Sequence, residues 1–192
     1  MISYKNVTLR PFSESDFSDV IRWFTVDTEW SEWDAPWELW GEDDVITQLE
    51  WRGKLLAKNI LTAPKYHSPM EIDTPDGHVG WVSCYRINGV DDGVVAVGIN
   101  IPPQAARGKG YGKTALILYM SYLFDRADIS ELYTQTWSGN YRMIKLAEAI
   151  GFEEIGRIRG IRRLNGERYD ALTFIITKEE FIGKYEKMQW II

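Results

Sequence analysis

An apolar stretch, two prolines, a glycine-rich turn and an amphipathic stretch follow one another between residues 94 and 126, and this order constrains the fold of the 192-residue chain more than any other feature. Residues 94–101 are almost continuously apolar, which predicts a strand covered on both faces. Beyond the turn, apolar side chains recur at helical spacing at Leu116, Tyr119, Met120, Leu123 and Phe124. The segment therefore predicts a buried strand that leads through a tight turn into a helix.

The turn between this strand and helix has the residue types that bind phosphate. Three glycines alternate with basic and aromatic residues, and no acidic residue occurs from position 102 to position 124. Glycine allows successive backbone N–H groups to face one concavity, and a helix that begins there adds the positive end of its dipole. The sequence therefore predicts a pyrophosphate site at residues 107–113.

The spacing of the glycines excludes two other phosphate-binding motifs. The P-loop pattern Gly-x-x-x-x-Gly-Lys-Ser/Thr, aligned on Gly112, Lys113 and Thr114, requires glycine at position 107, where the chain has arginine. The dinucleotide pattern Gly-x-Gly-x-x-Gly also fails, because the glycines here are spaced Gly-x-Gly-x-Gly. This turn is therefore not expected to bind ATP, GTP or NAD.

Residues 107–112 match the acyl-CoA signature Gln/Arg-x-x-Gly-x-Gly/Ala of the GCN5-related N-acetyltransferases (GNAT), and the whole sequence resembles this superfamily. Asn140, followed eleven and twelve residues later by Gly151 and Phe152, resembles the family's Asn…Gly-Phe helix. The opening segment at 7–12 and the Asn165-Gly166 hairpin look like the branch that acetylates ribosomal proteins. The resemblance covers about residues 6–180.

The resemblance implies an α+β GNAT fold, with a single mixed, mostly antiparallel, splayed sheet flanked by helices. Acetyl-CoA, the acetyl donor, is expected in a V-shaped gap whose first arm is the strand at 94–101. The backbone of that strand would bind the pantetheine arm and polarise the thioester, while the glycine turn binds the pyrophosphate. Asn140 would contact the pantetheine, although an asparagine there can also cap its helix. The residues expected to contact acetyl-CoA are Ile99, Asn100, Ile101, Arg107, Gly108, Lys109, Gly110, Tyr111, Gly112, Lys113 and Asn140.

Three positions depart from the family pattern. Many relatives have a tyrosine seven residues after the asparagine as a proton donor, where this chain has Ala147. A glutamate common in the first arm is replaced by Ala96, and Met143 stands where the ribosomal branch often has serine or alanine. Two interpretations remain open: an acetyl-CoA-dependent N-acetyltransferase, and a non-catalytic acyl-CoA-binding sensor or interaction module.

An acidic, tryptophan-rich segment precedes the glycine turn. Residues 13–50 contain twelve Asp or Glu and one basic residue, Arg22. A carboxylate can take the proton of an attacking amine, and the face of a tryptophan can bind a cation. The catalytic candidates are therefore Glu32 and Asp34, and the substrate-binding candidates are Trp30, Trp33 and Trp37. The alternative is a solvated acidic surface whose tryptophans pack in the core.

Hydrophobic periodicity and turn residues predict the remaining elements. A strand at 6–12 leads to a helix that is capped by Ser13 and ends near residue 24. Residues 28–41 are predicted as a loop, 43–61 as a helix, and 91–93 as a turn. Strands at 70–73 and 78–87 join at Pro75-Asp76-Gly77. A strand at 132–137, a helix that ends at Gly151, and a hairpin of strands at 153–163 and 168–176 complete the order.

Composition limits the remaining alternatives. The formal net charge of −6 argues against general nucleic-acid binding, and no apolar run approaches the roughly 18 residues of a membrane span. One cysteine and two histidines make a Cys/His zinc site unexpected, so no metal is predicted. We expect a single cytoplasmic domain over residues 1–192. Trp190, Ile191 and Ile192 fit either a homodimer interface or packing on the sheet. The acceptor amine stays open among a protein amino terminus, a polyamine, an amino sugar and an antibiotic.

Overall fold

The computed structural model describes residues 1–38, 41–57, 69–87, 94–126 and 128–188. Its strands are Ile2–Tyr4 (β1), Val7–Arg10 (β2), Met70–Thr74 (β3), Gly77–Arg86 (β4), Val95–Asn100 (β5), Glu131–Trp137 (β6), Glu153–Leu164 (β7) and Glu167–Thr177 (β8). Its α-helices are Phe17–Thr25 (α1), Ser31–Asp34 (α2), Glu42–Ala57 (α3), Tyr111–Arg126 (α4), Tyr141–Ile150 (α5) and Lys178–Tyr185 (α6). Single 3-10 turns occur at Glu14–Asp16, Thr28–Trp30 and Gln104–Ala106.

A parallel pair divides the sheet, whose strand order is β1-β2-β3-β4-β5-β6-β8-β7. Strands β1 to β5 pair antiparallel in sequence order, and β8 pairs antiparallel with both β6 and β7. β5 and β6 run parallel and, within the described residues, are registered at one pair, Ala96 with Tyr133. The two strands diverge beyond that pair. This mixed, mostly antiparallel and splayed sheet confirms the predicted α+β fold class.

The two faces of the sheet carry separate apolar clusters. Helix α4 packs on one face, where Leu116 and Leu123 are buried together with Val82 of β4. Alternate residues of a strand face opposite ways, so Trp81 points to the other face. There it packs with Trp23, Phe24 and Trp30 in the second cluster. The helix predicted at 116–124 is confirmed, but α4 is not amphipathic, because the intervening Ala115, Ile117 and Leu118 are buried as well.

The amino-terminal half corrects two predictions. Residues 28–41 are not simply a loop, because the 3-10 turn at Thr28–Trp30 continues into α2. Burial of Trp30 stabilises this turn, and its indole N–H donates to the carbonyl of Trp23 at 2.8 Å. The strand predicted at 6–12 is shorter, and it forms a hairpin with β1, which was not predicted. Lys5 turns this hairpin with a positive φ of 52°.

The carboxyl-terminal helix α6 was also not predicted, although its signal is present in the sequence. The hydroxyl of Thr177 accepts from the backbone N–H of Glu180 at 3.2 Å, and the Glu180 carboxylate accepts from the Thr177 N–H at 2.9 Å. This reciprocal pair is a capping box, which starts a helix. The predicted turn at 91–93, the helix end at 58–61, and the residues Trp190, Ile191 and Ile192 considered for a homodimer interface lie outside the described residues.

Candidate functional site

A cavity of about 670 Å³ opens where β5 and β6 diverge. Residues 97–101 form one wall, and residues 134–136 of β6 contribute to the opposite wall. The glycine turn, the first residues of α4 and the first residues of α5 also line it. Trp30, Trp33 and Asp34 reach it from the acidic segment, and Tyr85 reaches it from β4. The cavity therefore brings together the predicted donor-binding and acceptor-binding segments.

The backbone of β5 faces this gap at every second residue. The carbonyl of Val97 accepts from the hydroxyl of Thr134 on β6 at 2.9 Å, so Val97 faces β6. Because the N–H and C=O groups of alternate strand residues point to the same side, those of Ile99 face the gap as well. The next residue on this side, Ile101, uses its carbonyl to accept from Nε of Arg107 at 2.7 Å.

The glycine turn leaves open space next to its backbone. Gly108 and Gly110 have φ values of 76° and 82°, which glycine adopts without strain. A Cβ atom built on either would meet no heavy atom within 4 Å. Helix α4 begins at Tyr111, so its first N–H groups and the positive end of its dipole lie at this turn. The turn thus fits a phosphate group in both space and charge.

The basic side chains of the turn have different partners. Nζ of Lys109 lies 2.6 Å from a carboxylate oxygen of Asp76 in the β3–β4 turn. Arg107 donates to the carbonyls of Ile101 and Pro102 at 2.7 Å each, and it also pairs with Glu29. Lys113 lines the cavity. The three predicted cations are therefore not equivalent in their access to a phosphate.

Asn140 caps α5 and also contacts the acidic segment. Its side-chain oxygen accepts from the N–H of Met143 at 3.0 Å, and its side-chain nitrogen donates to the carbonyl of Trp33 at 2.6 Å. The indole N–H of Trp137 donates to the same carbonyl at 2.9 Å. Asn140 is buried and lines the cavity. It therefore combines the predicted capping role with a position beside the expected pantetheine path.

Asp34 and Tyr85 are the titratable pair that the acidic segment and β4 place at the cavity. Both residues are exposed to solvent, Tyr85 by 39%, although both lie within the concave opening of the cavity. Burial, followed by the charge of Glu38, raises the pKa of Asp34 above its usual value. Burial and the charge of Asp34 raise the pKa of Tyr85 to about 12, although the Gln135 backbone opposes this. Tyr85 is therefore protonated at neutral pH, and Asp34 is a stronger base than an ordinary aspartate.

The three predicted substrate-binding tryptophans occupy different environments. Trp30 packs in the second apolar cluster and touches the cavity. The Arg142 guanidinium lies 3.9 Å from the ring centroid of Trp33, and that of Arg162 lies 4.5 Å from Trp37. One face of the Trp33 ring and one face of the Trp37 ring are therefore occupied by arginines of the protein itself.

The cavity includes some predicted site residues and adds others. Among the described residues that line it, Trp30, Trp33 and Asp34 are present, whereas Glu32, Trp37 and the predicted donor contact Lys109 are not. Sequence reasoning did not assign the lining residues Tyr85, Gln104, Thr134, Gln135, Thr136 and Arg142 to the site. One sequence signal was available, because Thr134 is a polar residue that follows the inward-facing Leu132 at strand spacing. The structure buries Thr134, which is 1% exposed.

Residues 6–153 match the family model of the acetyltransferase (GNAT) domain. The chain belongs to the GNAT acetyltransferase family. A curated relative is the SPbeta prophage-derived uncharacterized N-acetyltransferase YokL of Bacillus subtilis, which is 30% identical over 105 residues. This alignment covers 55% of the GNAT chain and 56% of YokL, so the chain spans about half the length of that relative.

Solved structures share the fold over almost the whole chain. RimL, a ribosomal L7/L12 α-N-protein acetyltransferase in complex with coenzyme A, is 18% identical with a TM-score of 0.72 and covers 92% of this chain and 97% of its own. A spermidine N-acetyltransferase from Vibrio cholerae, in complex with CoA and spermine, is 20% identical with a TM-score of 0.69 and covers 92% and 98%. These similarities establish the GNAT fold.

Two buried alanines of this GNAT chain stand where many relatives have titratable residues. Ala96 and Ala147 are both 0% exposed, at the positions where the resemblance places a glutamate and a tyrosine in many relatives. Neither side chain can exchange a proton and neither lines the cavity, so an acid or base supplied by a side chain must come from a residue that does. Among the described helices, none has the length and hydropathy needed to span a bilayer.

Proposed function

We propose that this GNAT chain is an acetyl-CoA-dependent N-acetyltransferase that moves an acetyl group to a primary amine. The observation that carries the proposal is that one cavity is lined both by the glycine turn of the predicted donor site and by the carboxylate of Asp34. The family match and the CoA complexes of the structural neighbours support the choice of donor.

The residues on the donor side fit acetyl-CoA. The open space at Gly108 and Gly110 suits a pyrophosphate, and the backbone of Ile99 faces the gap where a pantetheine amide can pair with it. Lys109 and Lys113 supply positive charge near the turn. We propose that the amide of Asn140 and the walls at 97–101 and 134–136 hold the pantetheine arm.

The reaction requires a proton to leave the amine, since an amine with a pKa near ~10 is mostly protonated at pH 7. Acetyl-CoA supplies an activated acetyl thioester, which the neutral amine attacks directly. Asp34 lines the cavity and has a raised pKa, so it is the proposed base, acting directly or through a water molecule. Tyr85 holds its proton at neutral pH and is the proposed hydrogen-bond donor for the departing sulfur.

The acceptor is an amine whose larger structure is not assigned. RimL acetylates the α-amine of a ribosomal protein, and the Vibrio cholerae relative acetylates spermidine, as their names state. Both classes present a cation, which the carboxylate of Asp34 attracts. The faces of Trp33 and Trp37 that arginines use are not free for that cation. Asp34 is therefore a stronger candidate for amine recognition than these two rings.

A second function, a non-catalytic acyl-CoA sensor or interaction module, is favoured by one observation. Both Ala96 and Ala147 replace groups that exchange protons in many relatives, and both are fully buried. A sensor would retain the glycine turn and the gap but would need neither an acid nor a base.

The test combines binding with turnover. Thermal unfolding is measured with and without acetyl-CoA, with ATP and GTP as comparison ligands and Gly110→Trp as the control for the turn. A ligand at ~100 times its dissociation constant adds about 2.7 kcal/mol to the free energy of unfolding. Thiol release from acetyl-CoA is then followed with a panel of a peptide, a polyamine, an amino sugar and an aminoglycoside.

The outcomes separate the two functions. Stabilisation by acetyl-CoA that is lost in folded Gly110→Trp, together with amine-dependent thiol release, supports the acetyltransferase. Stabilisation without release from any amine supports the sensor. No stabilisation at millimolar acetyl-CoA contradicts both.

A further inference from the structure

The side chain of Arg107 is directed toward its own loop and toward the acidic segment. Its Nε donates to the carbonyl of Ile101 and one Nη donates to the carbonyl of Pro102, both at 2.7 Å. Its other Nη pairs with the carboxylate of Glu29, and the Arg107 side chain is only 18% exposed. Three of the donors of the guanidinium are thus used within the protein, and its charge is balanced by Glu29.

Glu29 has two further partners. Its Oε1 accepts from the indole N–H of Trp33 at 2.7 Å, and it lies 3.4 Å from Nη1 of Arg142. Arg142 also stacks over the Trp33 ring at 3.9 Å. Burial acts to raise the pKa of Glu29, but the Trp33 hydrogen bond and the two arginines outweigh it and lower that pKa. Glu29 is therefore a charged carboxylate at neutral pH.

The two arginines lie on opposite sides of the gap. Arg107 follows β5, whereas Arg142 is in the first turn of α5, which follows β6. One carboxylate therefore contacts both sides of the cavity. The carbonyl of Trp33, which accepts from Asn140 and Trp137, adds a second attachment on the β6 side. The short segment from Thr28 to Asp34 is thus fixed to both walls.

We propose that Glu29 is a positioning residue that holds the segment carrying Asp34 across the gap, and that Arg107 anchors Glu29 instead of binding the pyrophosphate. This inference rests on the proposed function for the role of Asp34. It assigns the positive charge for the phosphates to Lys113, which lines the cavity, and to the amino end of α4, because Lys109 is itself paired with Asp76. It also makes Arg107, which belongs to the donor signature by sequence, part of the acceptor side.

The donor side and the acceptor side of the cavity should respond differently to loss of the ion pair between Glu29 and Arg107. Without the ion pairs, residues 28–34 lose their attachment to the glycine turn, and Asp34 is held from the β6 side alone, through the carbonyl of Trp33. The backbone of the glycine turn and the amino end of α4 keep their conformation, because Arg107 contributes to them through Ile101 and Pro102 and not through Glu29. Acceptor kinetics should change while the affinity for acetyl-CoA is retained.

The experiment uses the full chain with Glu29→Gln, Arg107→Gln, Arg142→Gln and the double variant Glu29→Gln/Arg107→Gln. The glutamine at position 29 can still accept from the Trp33 indole but cannot form ion pairs. Glu50→Gln, an exposed carboxylate of α3, is the matched control. Hydrogen exchange of residues 28–34, the dissociation constant of acetyl-CoA and the kcat and KM for the best amine of the panel are measured for each.

For Glu29→Gln we expect exchange of residues 28–34 to accelerate at least about fivefold and kcat/KM for the amine to fall about tenfold, with a change of less than about twofold in the acetyl-CoA dissociation constant. Residues 28–34 should exchange no faster in the double variant than in Glu29→Gln, and Arg142→Gln should give a smaller change in the same direction. Glu50→Gln should behave as the natural protein.

Two results overturn the proposal. The first is unchanged exchange of residues 28–34 in Glu29→Gln. The second is a loss of about tenfold or more in acetyl-CoA affinity in Arg107→Gln with normal exchange of residues 28–34, because that pattern belongs to a phosphate ligand. Hydrogen exchange and acetyl-CoA binding can be measured without turnover. If the natural protein transfers no acetyl group, the proposed function is wrong, but these two measurements still decide the role of Glu29.

Discussion

The side-chain nitrogen of Asn140 donates to the carbonyl oxygen of Trp33 at 2.6 Å. The same amide accepts the N–H of Met143 and so caps α5. One end of the amide therefore has its partner three residues away, and the other end has its partner 107 residues away. This contact ties the acidic segment to the wall of the cavity that follows β6.

Replacing Asn140 by aspartate separates the two roles of its amide. A carboxylate can still accept the Met143 N–H, but it cannot donate to Trp33 and it faces a carbonyl oxygen. We expect Asn140→Asp to lower the free energy of unfolding by about 1–3 kcal/mol in urea titrations. Asn140→Ser, which keeps a capping hydroxyl without a charge, should cost less. An unchanged stability in Asn140→Asp would contradict the contact with Trp33.

The position of Asp34 in the cavity predicts unequal effects for the two candidate carboxylates. Asp34→Asn removes the base without changing the shape of the side chain, and we expect kcat/KM for the amine to fall by about 100-fold. Glu32 lies two residues earlier and is not among the described residues that line the cavity, so Glu32→Gln should lower kcat/KM much less. Steady-state kinetics with a fixed amine and saturating acetyl-CoA measure both. Equal losses in the two variants would mean that Asp34 has no special role.

Tyr85→Phe removes the O–H group proposed to face the departing sulfur. The ring remains, so acetyl-CoA affinity and thermal stability should change little, while kcat falls by about tenfold or more. The split between kcat and KM is the informative measurement. If KM for the amine rises and kcat is retained, Tyr85 contributes to amine binding and not to proton donation.

Two glycines with open space around them should respond in opposite directions to alanine. Gly53 lies inside α3, where a Cβ meets no atom within 4 Å, so Gly53→Ala should stabilise the protein by about 0.5–1 kcal/mol. Gly108 has a φ of 76°, so Gly108→Ala should cost about 1–2 kcal/mol and also weaken acetyl-CoA binding. Unfolding with and without acetyl-CoA measures both effects. A stabilising Gly108→Ala would contradict the left-handed turn.

His78 predicts a pH dependence of stability away from the cavity. Its Nε2 lies 3.0 Å from Glu71, and its Nδ1 lies 3.0 Å from Asp19 and 3.5 Å from Asp16. Burial acts to lower the pKa of His78, but the hydrogen bond and charge of Glu71 and the charge of Asp16 outweigh it and raise that pKa above its usual value of 6.5. The folded protein therefore holds the proton more tightly than the unfolded chain does.

The sign of the effect follows from this raised pKa. The stability contributed by protonated His78 is fully present below about pH 6.5 and is lost as the pH rises through the raised value. The difference in free energy of unfolding between the natural protein and His78→Gln should therefore be larger at pH 5.5 than at pH 8.5. A difference that grows with pH would show that His78 is neutral in the folded state.

The glycine turn and the strand and helix that flank it could be predicted because their residues are contiguous. The apolar strand, the glycine spacing and the helix start all lie between residues 94 and 126, and each depends on local backbone preferences. Gly108 and Gly110 have the left-handed conformations that their residue type favours. Asn140 could be assigned to a cap for the same reason, since its partner Met143 lies in the next turn.

The contacts between the acidic segment and the cavity could not be predicted to the same degree because they join distant segments. The partner of Arg107, Glu29, lies 78 residues earlier, and nothing in either local sequence indicates the pair. Tyr85 reaches the cavity because β4 lies beside β5. Asp34 lines the cavity, whereas Glu32, two residues earlier, is not among the described lining residues. The sequence by itself determined most of the α+β elements and the conformation of the glycine turn, since these follow from periodicity and backbone freedom. Only the tertiary structure decided which carboxylate and which arginine serve the cavity, because that depends on how strands β4, β5 and β6 bring remote side chains together.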